Sequence, residues 1–137
     1  MEQIRLIFLD TSIWLEYLAN TEKSDMCKEI IHSKARIVIS TAALMELRYH
    51  GIKKFGLEKT AEIMTLIESS DILIVPLAKE IARYSADIRL KYYNREKKAI
   101  SFIDAVNLAT AILTNCDKFF STDKDFEGVD EIKVEII

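Results

Sequence analysis

Short runs of apolar residues alternate along the chain with longer segments in which apolar residues recur at helical spacing. The short runs predict five strands, at residues 4–9, 35–39, 72–75, 118–121 and 132–137. The longer segments predict helices at 13–19, 42–55, 57–69, 78–93 and 102–113. Because strands joined by helical crossovers run parallel, with helices on both faces, this order predicts a single α/β domain over residues 1–137.

Three of these segments carry a more specific expectation. The continuous apolar run at 72–75 is typical of a buried strand, whereas the alternation at 132–137 is typical of an edge strand. The segment 102–113 is the most apolar helix, which predicts a central helix packed on most sides. Residues 94–98 are charged and predict a loop or a frayed helix end.

Four acidic residues stand beside or inside these apolar segments. Asp10 follows the first strand, Asp123 follows the fourth, and Glu46 and Asp104 fall in the first turns of predicted helices. Ligands of parallel α/β sheets bind beyond the carboxyl ends of the strands, so the four acids are expected to converge there. An unpaired buried carboxylate costs several kcal/mol, and a hard divalent cation offsets that cost. The pattern therefore indicates a metal-dependent phosphodiesterase.

Each acid also has a structural interpretation. Asp10 can equally be the cap of the following helix, and for Asp104, which ends an S-x-x-D capping box, capping is the better interpretation when it is taken alone. Asp123 and Asp125 can both be turn acids. Glu46 has mostly apolar neighbours, which favours a partly buried acid. The catalytic interpretation thus depends on the four acids together.

Composition excludes several other functions. The net charge of −3 argues against a general nucleic-acid coat protein but not against a nuclease. The two histidines, His32 and His50, lie in polar helical company that predicts surface positions, without the G-x-S-x-G elbow of a hydrolase. Three glycines form no nucleotide-binding loop, and the two distant cysteines are expected to be reduced. No apolar run approaches the roughly 20 residues of a membrane span, so we expect a cytoplasmic protein.

Taken in order, four motifs resemble those of PIN-domain ribonucleases. They are Asp10-Thr11-Ser12 after the first strand, Glu46 in the helix after the second, Asp104 to Ala111 in the apolar helix, and Ser121 to Phe126 after the fourth strand. Each motif is short, but the four together span the chain. They are similar to the small single-domain VapC toxins of type II toxin-antitoxin pairs.

This resemblance implies a five-stranded parallel sheet in the order 3-2-1-4-5 and an acidic pocket at its carboxyl edge. By motif position, Asp10, Glu46 and Asp104 match the three core metal-binding acids. Asp123 matches the fourth, for which Asp125 competes. The matching small polar residues are Thr11, Ser12 and Ser121. The resemblance also implies an RNA substrate, a cognate antitoxin and a homodimer.

The all-oxygen ligand set favours Mg²⁺, or Mn²⁺ as a substitute. In this interpretation Asp10 is the central ligand, and Glu46 and Asp104 complete the site directly or through water. Asp123 holds a second ion or orients water. Asn107, one helical turn after Asp104, either hydrogen-bonds an acid or metal-bound water or lies on a solvent stripe with two threonines.

Candidate binding surfaces are less specific. A surplus of positive charge at residues 89–98 can follow RNA phosphates or can be a solvated helix end. Trp14, Tyr17 and Leu18, and separately residues 49–55, can form apolar contact patches, although core packing is the more frequent fate of such residues. The competing function is a PIN-fold module that binds RNA or protein with weak or no catalysis. A phosphate-accepting receiver domain fits less well, because only Asp10 follows the first strand.

Overall fold

Five strands and six α-helices make up the chain in the computed structural model, which describes residues 4–137. The strands are β1 (Leu6–Leu9), β2 (Arg36–Ser40), β3 (Leu73–Val75), β4 (Lys118–Ser121) and β5 (Lys133–Ile136). The helices are α1 (Thr11–Ala19), α2 (Ser24–Ile31), α3 (Thr41–Phe55), α4 (Leu57–Ser69), α5 (Lys79–Tyr92) and α6 (Phe102–Leu113). A short 3-10 helix, Lys124–Phe126, follows β4.

All neighbouring strands pair in parallel, in the order β3-β2-β1-β4-β5. The predicted fold class and strand order are therefore confirmed. Central β1 lies in register with both neighbours, so that Phe8 is opposite Val38 on β2 and Phe119 on β4. Because the carboxyl ends of β1, β2 and β4 lie side by side, the residues that follow them meet at one edge of the sheet.

Successive side chains of each strand point to opposite faces of the sheet, which divides the core into two layers. Ile7 and Leu9 of β1 pack with buried side chains of α1, α2, α3 and α4. Phe8 points to the opposite face, where it packs with Ile88 of α5 and Leu108 of α6. The predicted helices on both faces are thus confirmed. Both cysteines are buried and free, as expected of reduced thiols.

Two elements and one surface patch differ from the sequence prediction. Helix α2 lies in a stretch for which no element was predicted. Strand β3 is an edge strand whose three residues are only half-buried, so its prediction as a buried strand was wrong. The contact patch suggested for Trp14, Tyr17 and Leu18 does not form, because Trp14 is fully buried and Leu18 nearly so, as the alternative of core packing predicts. In the second patch, Tyr49 is 58% exposed.

Helices α5 and α6 form a hairpin whose tip, residues 93–101, reaches the connection between β4 and β5. Ile81 at the start of α5 packs on Ala109 of α6, while Ile88 shares a cluster with Ala105. Residues 94–98 form a tight turn closed by the pair Asn94 and Lys98, rather than a frayed helix end. At the tip, the Tyr92 hydroxyl accepts a hydrogen bond from the backbone N–H of Asp130 at 3.1 Å.

Candidate active site

Asp10 lies between the end of β1 and the start of α1, and its side chain is 5% exposed. It caps α1, since its Oδ1 accepts the backbone N–H of Ser12 at 3.0 Å. The predicted capping role is therefore confirmed. The backbone N–H of Asp10 donates to the carbonyl of Phe120 on β4 at 3.1 Å, which fixes the acid at the carboxyl edge of the sheet.

Two neighbouring serine hydroxyls, whose oxygens lie 3.3 Å apart, each hold one oxygen of the Asp10 carboxylate. Ser12 Oγ donates to Oδ1, and Ser121 Oγ donates to Oδ2 at 2.6 Å. Ser121 Oγ also accepts the backbone N–H of Asp123 at 3.0 Å, and Ser12 Oγ accepts that of Thr122 at 3.0 Å. These bonds connect the end of β4 to the start of α1 and leave the Asp10 carboxylate with one orientation.

Glu46 is half-buried in α3 and faces the first turn of α1. Its Oε1 accepts a hydrogen bond from the Thr11 hydroxyl at 2.8 Å. The burial agrees with the sequence prediction, but the position differs from it. Because α3 begins at Thr41, Glu46 lies in the second turn rather than the first, and it is free of any capping role.

Asp104 lies at the start of α6 and forms the predicted capping box with Ser101. Its Oδ2 accepts the backbone N–H of Ser101 at 2.9 Å, and its own N–H donates to Ser101 Oγ at 3.0 Å. The capping interpretation is therefore confirmed. It does not exclude a second role, since the bond to Ser101 uses only one of the two carboxylate oxygens.

The charges of these acids affect one another. Burial raises the pKa of Asp10 to about 6, against the lowering effect of its serine hydrogen bonds, and the charge of Asp104 raises it further. Burial likewise raises the pKa of Glu46, again with a contribution from Asp104, whereas Thr11 and His50 lower it. Asp104 is thus close enough to both acids to disfavour their ionisation.

Asp123 and Asp125 lie on the outer side of this cluster. Burial raises the pKa of Asp104, and the charges of Asp123 and then Asp125 add to that increase. Asp123 is exposed and caps the 3-10 helix, since its Oδ1 accepts the N–H of Asp125 at 2.9 Å. Through the bond from its own N–H to Ser121, Asp123 has the more direct connection to Asp10.

Asn107 is buried, being 1% exposed, so of its two predicted positions the one on a solvent stripe was wrong. Its Oδ1 instead accepts the hydroxyl of Ser40 at 2.6 Å. Ser40 caps α3 by accepting the N–H of Ala43 at 2.9 Å. This pair fixes α6, which bears Asp104, against the start of α3, which bears Glu46. Ser40 was not predicted as a site residue, although it occupies the capping position directly after β2.

The two histidines and the basic segment at residues 89–98 agree only in part with the sequence prediction. His32 is exposed as predicted, but His50 is half-buried one turn after Glu46. In the basic segment, Lys91 pairs with Glu131 at 3.1 Å, and Lys98 Nζ donates to the carbonyl of Glu127. Arg95 and Lys97 are exposed at the hairpin tip.

The acids present an all-oxygen set of ligands to a cation. Within residues 4–137, no group of three or more His, Cys, Asp or Glu side chains is arranged so that it could hold a metal ion. Mg²⁺ commonly binds only one or two carboxylates, because it keeps several waters and takes further oxygens from phosphates. Burial raises the pKa values of Asp10, Glu46 and Asp104, and the charges of neighbouring acids add to each increase. A cation favours the ionised form of each carboxylate, so the residues fit a hard divalent metal held partly through water.

A separate cavity of about 870 Å³ lies at the opposite, amino-terminal edge of the sheet. Its lining includes Arg5, Lys34 and Asp117, which are of mixed charge and form no acidic cluster. The chemistry of the side chains, rather than the size of the cavity, therefore locates the candidate site. In the part of the chain that the structure describes, no helix is both long and apolar enough to span a bilayer.

Comparisons with known proteins agree with this architecture. Residues 7–132 match the sequence model of the PIN domain. Comparison with curated proteins gave no match. Among solved structures, VapC20 of Mycobacterium tuberculosis, a sarcin-ricin loop cleaving toxin, is similar over 93% of this chain and 98% of its own, with a TM-score of 0.76 and 19% identity.

Two toxin-antitoxin complexes show the same similarity. VapBC2 of Rickettsia felis, bound to a DNA fragment from its promoter, covers 96% of this chain and 98% of the matched chain, with a TM-score of 0.73 and 18% identity. DNA-bound VapBC of Salmonella typhimurium covers 98% of both chains, with a TM-score of 0.72 and 18% identity. At these identities the similarity is one of fold.

Proposed function

The chain belongs to the PIN-domain family, and on that basis we propose that it is a metal-dependent endoribonuclease. In this proposal, residues 1–137 act as one PIN domain that hydrolyses RNA phosphodiester bonds. The observation that carries it is the buried Asp10 carboxylate, which two serines orient and whose pKa the neighbouring Asp104 helps to raise. A fold gains nothing in stability from crowding acids in this way, so the arrangement favours a site for a cation.

The residues have distinct roles in the proposed mechanism. Asp10, Glu46 and Asp104 would hold Mg²⁺ or Mn²⁺, and Asp123 is the fourth acid. A bound divalent cation supplies a nucleophilic water near neutral pH and stabilises charge on the scissile phosphate.

The hydroxyls and Asn107 position these acids. Ser12 and Ser121 keep the Asp10 carboxylate in one orientation, and Thr11 does the same for Glu46. Asn107 acts through Ser40 and keeps the helix of Glu46 beside that of Asp104. Such preorganisation matters because a displacement of about 1 Å costs roughly 100-fold in rate.

We further propose that the chain is the toxin of a toxin-antitoxin pair. Support comes from the fold, which it shares with VapC20 and with the toxin components of VapBC complexes. The expected partners are an RNA substrate, a cognate antitoxin protein and a second copy of the chain.

Cleavage of RNA by the wild-type chain and by Asp10→Asn tests the enzyme. Purified protein is incubated with total RNA in the presence of Mg²⁺, Mn²⁺ or EDTA. We expect wild type to cleave with either metal and not in EDTA. Asp10→Asn should be slower by roughly 100-fold or more, because lost electrostatic stabilisation at a reacting phosphate has costs of that order.

The matched control is Asp117→Asn, which makes the same change in an exposed acid just before β4, at the opposite edge of the sheet. It should cleave like wild type. Cleavage that persists in EDTA or in Asp10→Asn would contradict the mechanism. RNA binding without cleavage under any condition would instead support a PIN-fold binding module.

A further inference from the structure

The hairpin tip carries an arginine that stacks on two exposed aromatic rings. The Arg89 guanidinium lies 4.1 Å from the ring centre of Tyr93 and 4.1 Å from that of Phe102. Phe102 is 71% exposed and Tyr93 is 42% exposed. With Ala86 and Leu90, these three residues line an open groove of about 400 Å³.

A hydrogen bond to the backbone holds the Arg89 side chain in place. Its Nε donates to the carbonyl of Ile100 at 3.1 Å, which ties the end of α5 to the residue before the α6 cap. Within residues 4–137, its terminal Nη groups make no hydrogen bond, so their N–H donors remain available to a ligand. The arginine therefore fixes both rings in orientation while it leaves them accessible.

The fold does not require an exposed phenyl ring at this position. Phe102 is the first residue of α6, but Ser101 and Asp104 already cap the helix. A phenylalanine that is exposed to water lacks the stabilisation of about 1.5–3 kcal/mol that full burial of such a side chain contributes. Its presence is better explained by a ligand that covers the ring.

The stack lies across the end of α6 from the acidic cluster. Phe102 and Asp104 are two residues apart, so their side chains leave the helix roughly 200° apart around its axis. Given a helix diameter of about 10 Å, the separation is one that a few nucleotides of an unpaired strand can span.

Positive charge flanks the stack. Arg95 and Lys97 are exposed in the turn that follows Tyr93, on either side of the exposed Glu96. Neither forms an ion pair within the described residues. Phosphate groups complement this charge. Unpaired bases are commonly stacked on aromatic rings and on arginine planes in RNA recognition.

We propose that Tyr93, Arg89 and Phe102 form a stacking subsite for an unpaired base of the RNA substrate, a few nucleotides from the bond that is cleaved. The proposal rests on the ribonuclease function proposed above. A second copy of the chain fits the same groove less well. A two-fold contact centred on this groove would bring two copies of Arg89 and of the tip cations close together, and like charges oppose such an interface.

Binding of RNA by a non-cleaving background tests the subsite. The probe is a short fluorescein-labelled single-stranded oligouridylate, and its Kd is measured by fluorescence anisotropy in Mg²⁺ with Asp10→Asn protein. Adding Phe102→Leu should raise Kd roughly tenfold, because the loss of one base stack costs about 1.4 kcal/mol or more. Tyr93→Leu should act in the same direction, and Phe102→Trp should restore binding.

Leu113→Ala, at the far end of α6, is the control for trimming an exposed apolar residue and should leave Kd unchanged. Melting temperatures of all variants establish that they are folded. An unchanged Kd in both Phe102→Leu and Tyr93→Leu overturns the subsite. A lower molecular mass of Phe102→Leu or Leu90→Ala in solution also overturns it, because the groove would then be a surface for self-association. If wild type cleaves RNA while one of these results is found, the ribonuclease function stands and only the subsite fails. If wild type neither binds nor cleaves RNA, both proposals fail.

Discussion

Asp10 is the most buried of the four acids, and its ionisation therefore depends most on folding. Its pKa is about 6 in the folded chain, against an ordinary value of 3.8. Between those two values the folded state keeps a proton that the unfolded state has lost. Stability should thus fall as pH rises from about 4 to 6, and the loss, on the order of 3 kcal/mol, is complete above pH 6.

Replacing Asp10 by Asn should remove this penalty, because an amide does not ionise and can still bond to both serines. In EDTA at pH 7.5, we expect the free energy of unfolding to rise by about 1–3 kcal/mol relative to wild type. Near pH 4, where folded Asp10 is neutral, the difference should largely disappear. Urea denaturation across this pH range measures both quantities.

The exposed acid Asp117 provides the control, since its conversion to Asn should change stability by less than about 0.5 kcal/mol at either pH. A stability difference between Asp10→Asn and wild type that is independent of pH would mean that packing, rather than charge, sets the cost of Asp10.

At the scale of elements, α3 and α4 cross closely because the contact contains a glycine. Gly51 of α3 is buried against Thr60 of α4, and a Cβ added to Gly51 would lie 2.8 Å from Thr60 Oγ1 and 2.9 Å from Cγ2. The same Oγ1 is buried without a hydrogen-bond partner within the described chain. The turn between the helices depends on Gly56, whose φ of 91° disfavours other residues.

We predict that Gly51→Ala lowers the free energy of unfolding by about 1–2 kcal/mol. Overpacking costs about 1–3 kcal/mol, and the better helix propensity of alanine returns at most about 1 kcal/mol. In a Thr60→Ala background both short contacts are absent, so Gly51→Ala should become neutral or stabilising. Urea denaturation of the four proteins gives the coupling energy. Additive effects, within about 0.5 kcal/mol, would show that the contact relaxes freely.

Most elements could be predicted to within two residues, because apolar spacing reports which face of each segment is buried. Helix α2 escaped prediction because it has only eight residues, and its apolar positions Cys27, Ile30 and Ile31 are interrupted by charges. The edge position of β3 could not be read from its apolar run. Strand order depends on pairing between distant segments, and a local pattern does not contain that information.

For the whole molecule, the convergence of the acids could be predicted because Asp10 and Asp123 follow strands at the carboxyl edge of the sheet, while Glu46 and Asp104 lie near the starts of helices that can meet that edge. Their catalytic roles remain predictions. Contacts between helices could not be predicted in the same way. The burial of Trp14, the bond from Ser40 to Asn107 and the stacking of Arg89 on Phe102 all depend on how helices pack across the sheet. Helical periodicity locates the apolar face of each helix but not the element that covers it.

The acidic cluster should make stability of the whole chain depend on divalent metal. A ligand that binds only the folded state stabilises it by about 1.4 kcal/mol at roughly ten times its Kd, which corresponds to a few degrees in melting temperature for a chain of this size. We therefore expect Mg²⁺ or Mn²⁺ to raise the melting temperature of wild type at pH 7.5. The increase should be smaller at pH 5, because the metal must then displace the proton that Asp10 retains below its pKa of about 6.

Calorimetric melting in metal and in NaCl of equal ionic strength separates this effect from general screening of the net charge of −3. Asp10→Asn should lose most of the metal-dependent shift, while Asp117→Asn should keep it. A shift that is equal at pH 5 and pH 7.5, or that survives in Asp10→Asn, would place the bound metal somewhere other than the four acids. The proposed chemistry would then lack its cation, whatever the stability of the fold.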